Sequence, residues 1–191
     1  RRKAEELISS GQVYVNGEMV IELGTKVSGN ETIVVEGVTL SKDTRKEYYL
    51  LNKPRGYICS LKDDKGRKVV TELINTKERI YPVGRLDYDT TGILLLTNDG
   101  EFMNQMVGPR SGIEKEYLAR VEGIVTPKEL GPLMYGLKDN NITYLPAYCE
   151  IISVDEEHKS SLIKIIITEG KYHQVKNMFK AINHPVKKLT R

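Results

Sequence analysis

Between Gly84 and Gly92 the chain places two carboxylates, an arginine and two threonines, in the order Gly84-Arg85-Leu86-Asp87-Tyr88-Asp89-Thr90-Thr91-Gly92. A polar stretch of this kind that runs straight into the apolar residues 93–96 reads as a loop held by a strand, a common way to present reactive groups. Three chemistries use such carboxylates. Phosphoryl transfer uses an aspartate as nucleophile. Glycoside hydrolysis uses a pair of carboxyl groups at a set separation. Cleavage and remaking of a nucleoside bond uses one carboxylate. Taken alone, the segment reads equally as a hydrogen-bonded turn in which Asp87 and Asp89 cap backbone amides, and in an arbitrary protein that use is the commoner one.

Order along the chain separates the three. Asp87, Asp89 and Thr91 fit the Asp-x-Asp-x-Thr pattern of magnesium-dependent phosphatases, but that motif follows an apolar strand, and here the strand follows the motif. The match is coincidental. A short loop gives no assurance of the carboxyl separation that glycoside hydrolysis needs.

The elements that must position these residues follow from periodicity. Ala4, Leu7 and Ile8 recur at helical spacing and Gly11 ends that helix. Val13 and Val15 alternate up to Asn16-Gly17, a strong hairpin signal, then Met19, Ile21 and a strand over 32–35 follow. This first unit, residues 1–40, is too small to bury much core alone. The polar residues 41–46 read as a linker, and residues 47–191 as a second, larger domain. There the pattern predicts strands over 48–52, 93–96, 116–121, 144–154 and 162–168. It predicts helices over 69–74, 100–106, 127–135 and 172–182, the last burying Val175, Met178, Phe179 and Ile182. The opposite side of that helix carries His173, Lys176, Asn177 and Lys180. Without a βαβ rhythm the class is α+β, with a mixed, largely antiparallel sheet.

Composition narrows the partners. The chain has 191 residues and a net charge of only +3, yet residues 171–191 hold six basic side chains and no acid. Residues 52–68 are also rich in lysine and arginine. Such patches suit phosphate contact or serve as solvated faces. Cys59 and Cys149 lack the spacing of a zinc site or a disulfide framework, which suits a cytoplasmic protein. His158, His173 and His184 are scattered, so no metal site is expected. No apolar run is long enough to span a membrane as a helix. Residues 1–5 read as the middle of a helix rather than a natural start.

At Gly84-Arg85-Leu86-Asp87 the sequence resembles the pseudouridine synthases, and the match extends through Asp99-Gly100. Asn52-Lys53-Pro54-Arg55-Gly56 resembles that family's first motif, Lys115-Glu116-Tyr117 its Lys-x-Tyr strand, and residues 169–176 its last motif. Residues 1–40 resemble the end of a small RNA-binding (alpha-L) domain. Four motifs in order over nearly the whole chain make the resemblance specific. The family pattern places a further helix ahead of residue 1 and a further strand beyond residue 191.

The resemblance implies isomerisation of uridine to pseudouridine in ribosomal RNA, by a monomer, without cofactor or metal. Residues 172–176 resemble the small-subunit enzymes. A large-subunit target and a non-catalytic RNA-binding role are the alternatives. It also implies that Asp87 attacks the nucleoside or removes a sugar proton, that Lys176 is its counter-ion, and that Tyr117 stacks on the uracil. Arg85, Arg55, Lys53, His173, Gln174 and Lys180 are implied RNA contacts. Asp89 and Thr91 are expected to shape the loop.

Overall fold

A computed structural model describes residues 2–41, 45–108 and 111–191. The chain divides into two compact units, Arg1–Arg45 and Lys46–Arg191. Of the expected linker, Lys42, Asp43 and Thr44 lie outside the described residues.

In the first unit, helix α1 (Arg2–Ser9) is followed by strands β1 (Val13–Val15), β2 (Glu18–Met19), β3 (Ile33–Val35) and β4 (Val38–Thr39). They form an antiparallel sheet in the order β2-β1-β3-β4. Asn16 (φ 50°) and Gly17 (φ 86°) close the first hairpin in the conformation that their types favour. Glu36 and Gly37 repeat the device in a second hairpin that carries no Asn-Gly signal. Ile21 lies outside the strands, and no described residue of this unit is buried.

Among the described residues, the second unit holds two larger antiparallel sheets and a two-stranded one. Strands β5 (Tyr48–Lys53), β6 (Tyr81–Val83) and β7 (Gly92–Thr97) pair in the order β5-β7-β6. After helix α2 (Gly100–Val107) come β8 (Lys115–Glu122), helix α3 (Pro127–Tyr135) and a small hairpin of β9 (Leu137–Asp139) and β10 (Ile142–Tyr144). Then β11 (Tyr148–Asp155), β12 (Ser160–Ile167), helix α4 (Gln174–Ala181) and β13 (Val186–Thr190) complete a sheet of order β11-β12-β8-β13. The class is α+β, as expected.

Alternation builds the core. Tyr117, Ala119 and Val121 of β8 and Ile163, Ile165 and Ile167 of β12 point to one face, where Val175, Met178 and Phe179 of α4 cover them. Each fully buried isoleucine contributes about 1.5–3 kcal/mol. The expected strand over 144–154 is broken at Leu145-Pro146-Ala147, and Ala147 N–H turns to the Leu133 oxygen at 2.9 Å. Pro146 has no N–H for a ladder, so one strand becomes two. The expected helix over 69–74 is a 3₁₀ turn, Val70–Leu73.

The two larger sheets are joined by the chemistry-bearing loop. Thr91 N–H donates to Leu189 O at 3.0 Å, Arg191 N–H to Thr91 O at 2.9 Å, and Ile93 N–H to Arg191 O at 3.0 Å. Gly92 lies between them at φ 111°, and a Cβ there would stand 2.1 Å from the Arg191 oxygen. Only glycine allows so close an approach.

Candidate active site

The 84–91 loop is held from below by Lys53. Its side chain is fully buried, and Nζ donates to Thr90 O at 2.8 Å, Asp87 O at 3.0 Å and Pro54 O at 3.1 Å. Burial pushes this ammonium below the ordinary lysine range. Lys53 therefore does not contact RNA as expected; it gathers the carbonyl oxygens of the loop. Two further anchors are Gly56 N–H to Tyr88 O at 2.9 Å and Leu86 N–H to Cys59 Sγ at 3.2 Å.

This scaffold presents the Asp87 carboxylate to the first turn of α4. Oδ2 lies 2.9 Å from Lys176 Nζ, and Oδ1 lies 3.4 Å from His173 Nε2. Lys176 is shared, because Asp89 Oδ1 lies 2.6 Å from the same nitrogen. Asp89 is thus more than the loop-shaping residue expected. Burial opposes the Asp89 charge, but the Lys176 hydrogen bond and charge outweigh it and hold the carboxyl below its usual range. Burial likewise opposes the Lys176 charge, and the two carboxylates outweigh it, raising the ammonium above the ordinary lysine value. Thr91 does turn away from the reacting groups: its hydroxyl is 2.8 Å from that of Thr190. The phosphatase-like triplet is therefore not assembled.

The turn ahead of α4 has its own brace. Gln174 is buried; its Oε1 accepts from Lys171 N–H at 3.0 Å and its Nε2 donates to Glu169 Oε1 at 2.7 Å. Gln174, expected as an RNA contact, fastens this turn. His173 adopts the left-handed conformation at φ 49°, so α4 begins at Gln174, two residues later than periodicity predicts. The ring of His173 stacks on Tyr172, with centroids 3.8 Å apart.

Above these residues lies a cavity of about 710 Å³ lined by Arg85, Asp87, Tyr117, His173, Lys176 and Arg191, among others. Its size suits a nucleoside. Tyr117 comes from β8, where burial raises its hydroxyl above the ordinary tyrosine value and so keeps it protonated at neutral pH. Asp87, Tyr117 and Lys176, which lie far apart in sequence, thus share one cavity, as do Arg85 and His173. Arg55 and Lys180 are exposed and do not line it. Three cations on the cavity wall, Lys115, Lys171 and Arg191, were not among the expected contacts. The Thr190–Leu118 pairing of β13 with β8 brings Arg191 beside Tyr117, and no periodicity in residues 186–191 announces that pairing.

An aspartate salt-bridged to a lysine, next to a buried tyrosine in a nucleoside-sized cavity, defines a nucleoside-directed active site on an antiparallel α+β scaffold. The chain belongs to the RNA pseudouridine synthase family and is an isomerase of that class. Residues 47–181 match the family model described as RNA pseudouridylate synthase, and residues 1–33 match the S4 domain. The ribosomal large subunit pseudouridine synthase B of Bacillus subtilis is 49% identical over 100% of this chain and 78% of its own length. The ribosomal small subunit pseudouridine synthase A of Escherichia coli is 33% identical over 96% of this chain and 78% of its own. A solved pseudouridylate synthase superposes with a TM-score of 0.69 at 30% identity, covering 100% of this chain and 80% of that one.

Proposed function

We propose that this protein converts a uridine of ribosomal RNA to pseudouridine in the cytoplasm, with Asp87 as the catalytic carboxylate. The observation that carries this reading is the contact of Asp87 with Lys176 inside the cavity that Tyr117 lines. The reaction breaks the bond from uracil N1 to ribose C1′, turns the base and joins C5 to C1′; C5 then loses its proton and a ring nitrogen carries one instead. No atom is gained or lost. Lys176 stabilises the ionised carboxylate, which either attacks the nucleoside or removes a sugar proton. Tyr117 stacks on the uracil while it is detached. Arg85, at the cavity mouth, contacts phosphate as the target base leaves its stack.

The large subunit is the favoured source of the target, because the relative at 49% identity acts there by name and the one at 33% acts on the small subunit. A small-subunit target is a second reading, supported by Tyr172-His173-Gln174-Val175-Lys176. A purely RNA-binding role gives no reason for Asp87, Lys176 and Tyr117 to converge. Pseudouridine mapping of both ribosomal RNAs, treated with wild type or Asp87→Asn, tests the reading. A new pseudouridine should appear with wild type alone, while both forms bind RNA. Equal product from the variant would refute the role of Asp87.

A further inference from the structure

Tyr172 stands at the rim of the cavity and is 74% exposed. One face of its ring lies against the His173 imidazole, the planes 21° apart. The inner member of that stack reaches Asp87, 3.4 Å from His173 Nε2. The stack therefore runs outward from the reacting carboxylate to a solvent-facing tyrosine.

This arrangement is braced rather than loose. Asn177 Nδ2 donates to Tyr172 O at 3.1 Å, and Asn177 N–H donates to His173 O at 2.9 Å. Gln174, buried, ties the backbone of Lys171 to Glu169. His173 holds φ 49°, a conformation that non-glycine residues rarely adopt. A large ring fixed in water, at the mouth of a cavity that takes a flipped base, is a ready platform. Tyrosine gives wide contact area at a small rotamer cost. Base–aromatic stacking accepts any base, because every base has a π-face.

Resting on the reading of this site as one that takes a uridine out of RNA, we propose that the outer face of Tyr172 stacks a base adjacent to the target uridine in the chain. Tyr117 then holds the target base inside the cavity and Tyr172 holds one neighbour at its rim. The exposed Lys180, one helical turn beyond Lys176, lies on the same side of α4 to meet the adjoining phosphates. The platform contributes to RNA affinity and to the choice of unpaired targets, and leaves the chemical step to Asp87.

Two measurements on the full chain test this. In the first, short single-stranded RNAs with one central uridine carry 2-aminopurine on its 5′ or 3′ side, and fluorescence is titrated with protein. Wild type and Tyr172→Phe should quench one of the two probes. Tyr172→Ala should lose that quenching and bind about tenfold more weakly. In the second, steady-state kinetics on the mapped ribosomal RNA segment should show KM raised about tenfold in Tyr172→Ala with kcat little changed. Unchanged quenching and KM would overturn the proposal. So would a fall in kcat at constant KM, which would mean that Tyr172 serves only to orient His173. Absence of product from wild type, with quenching lost in Tyr172→Ala, would sink the proposed function and leave the platform standing.

Discussion

The Lys53 ammonium group donates to the backbone oxygen of Asp87 at 3.0 Å. The last residue of the first strand of the larger unit thus fixes the peptide that carries the reacting carboxylate. The same nitrogen holds Thr90 O, so both ends of the turn that displays Asp87 are tied to one buried charge. The carboxylate itself is left free to face Lys176. Backbone anchoring and side-chain chemistry are divided between two lysines, Lys53 and Lys176.

Replacing Lys53 separates these roles. Lys53→Met keeps much of the volume but takes the ammonium donor from the carbonyl oxygen of Thr90 and leaves that of Asp87 with the Thr90 N–H at 3.1 Å. Loss of hydrogen bonds from a buried charged group should destabilise the protein by about 3 kcal/mol. Urea unfolding measures this. A loss below about 1 kcal/mol would show that water replaces the ammonium group. RNA affinity of the folded variant should be close to that of wild type, because Lys53 is buried.

Lys176→Met removes the charge that stabilises ionised Asp87 in a partly dry cavity. Its loss leaves Asp87 Oδ2 without the ammonium 2.9 Å away and Asp89 Oδ1 without the one at 2.6 Å. Pseudouridine formation at saturating RNA should fall about tenfold or more. A raised KM at constant kcat would mean that Lys176 contacts the RNA rather than Asp87.

Asp89→Asn should act on the alkaline limb of the kcat/KM profile. Asp89 and Asp87 together raise the Lys176 ammonium above its ordinary value against the effect of burial. Removing one carboxylate lowers that value, so the alkaline limb should move to lower pH while near-neutral activity is kept. Stability gives a second check. The Asp89 carboxyl is held below its usual range in the folded state. Its contribution is present above the unfolded value, near 3.8, and is lost as pH falls through the folded value. The difference in unfolding free energy between wild type and variant should therefore be visible at pH 7 and shrink toward pH 3.

Much of this site was legible in the chain because the four motifs carry residue types with few other uses in that order. Asp87, Tyr117 and Lys176 were nameable, and α3 has the bounds, 127–135, that the pattern predicts. Burial of polar side chains was not. Lys53 and Gln174 have the composition of surface residues, and their hydrogen-bond partners come from distant loops or an irregular turn. Strand β6 contains Pro82, which argues against a strand until its edge position is known. β13 has no alternation strong enough to reveal that it pairs with β8 and carries Arg191 into the cavity.

Gly92 is where fold and site are one question. It is the first residue of β7, directly after the reactive loop, and its α-carbon faces the backbone of Arg191. Gly92→Ala would set a methyl group 2.1 Å from the Arg191 oxygen and force a side chain onto φ 111°. The backbone must then separate, breaking the bonds from Thr91 N–H to Leu189 O and from Ile93 N–H to Arg191 O. Clash, strain and lost hydrogen bonds together should cost about 3 kcal/mol or more. Because the parted strands carry Asp87 on one side and Arg191 on the other, kcat should fall even at temperatures where the variant remains folded. Gly100→Ala is the matched control. It sits in the first turn of α2 with open space around a new Cβ, and should leave stability unchanged or raise it by up to about 1 kcal/mol. Thermal unfolding of both variants, with turnover measured well below each midpoint, reads the two effects separately. Equal behaviour of the two alanines would mean that the junction between the sheets yields without displacing Asp87.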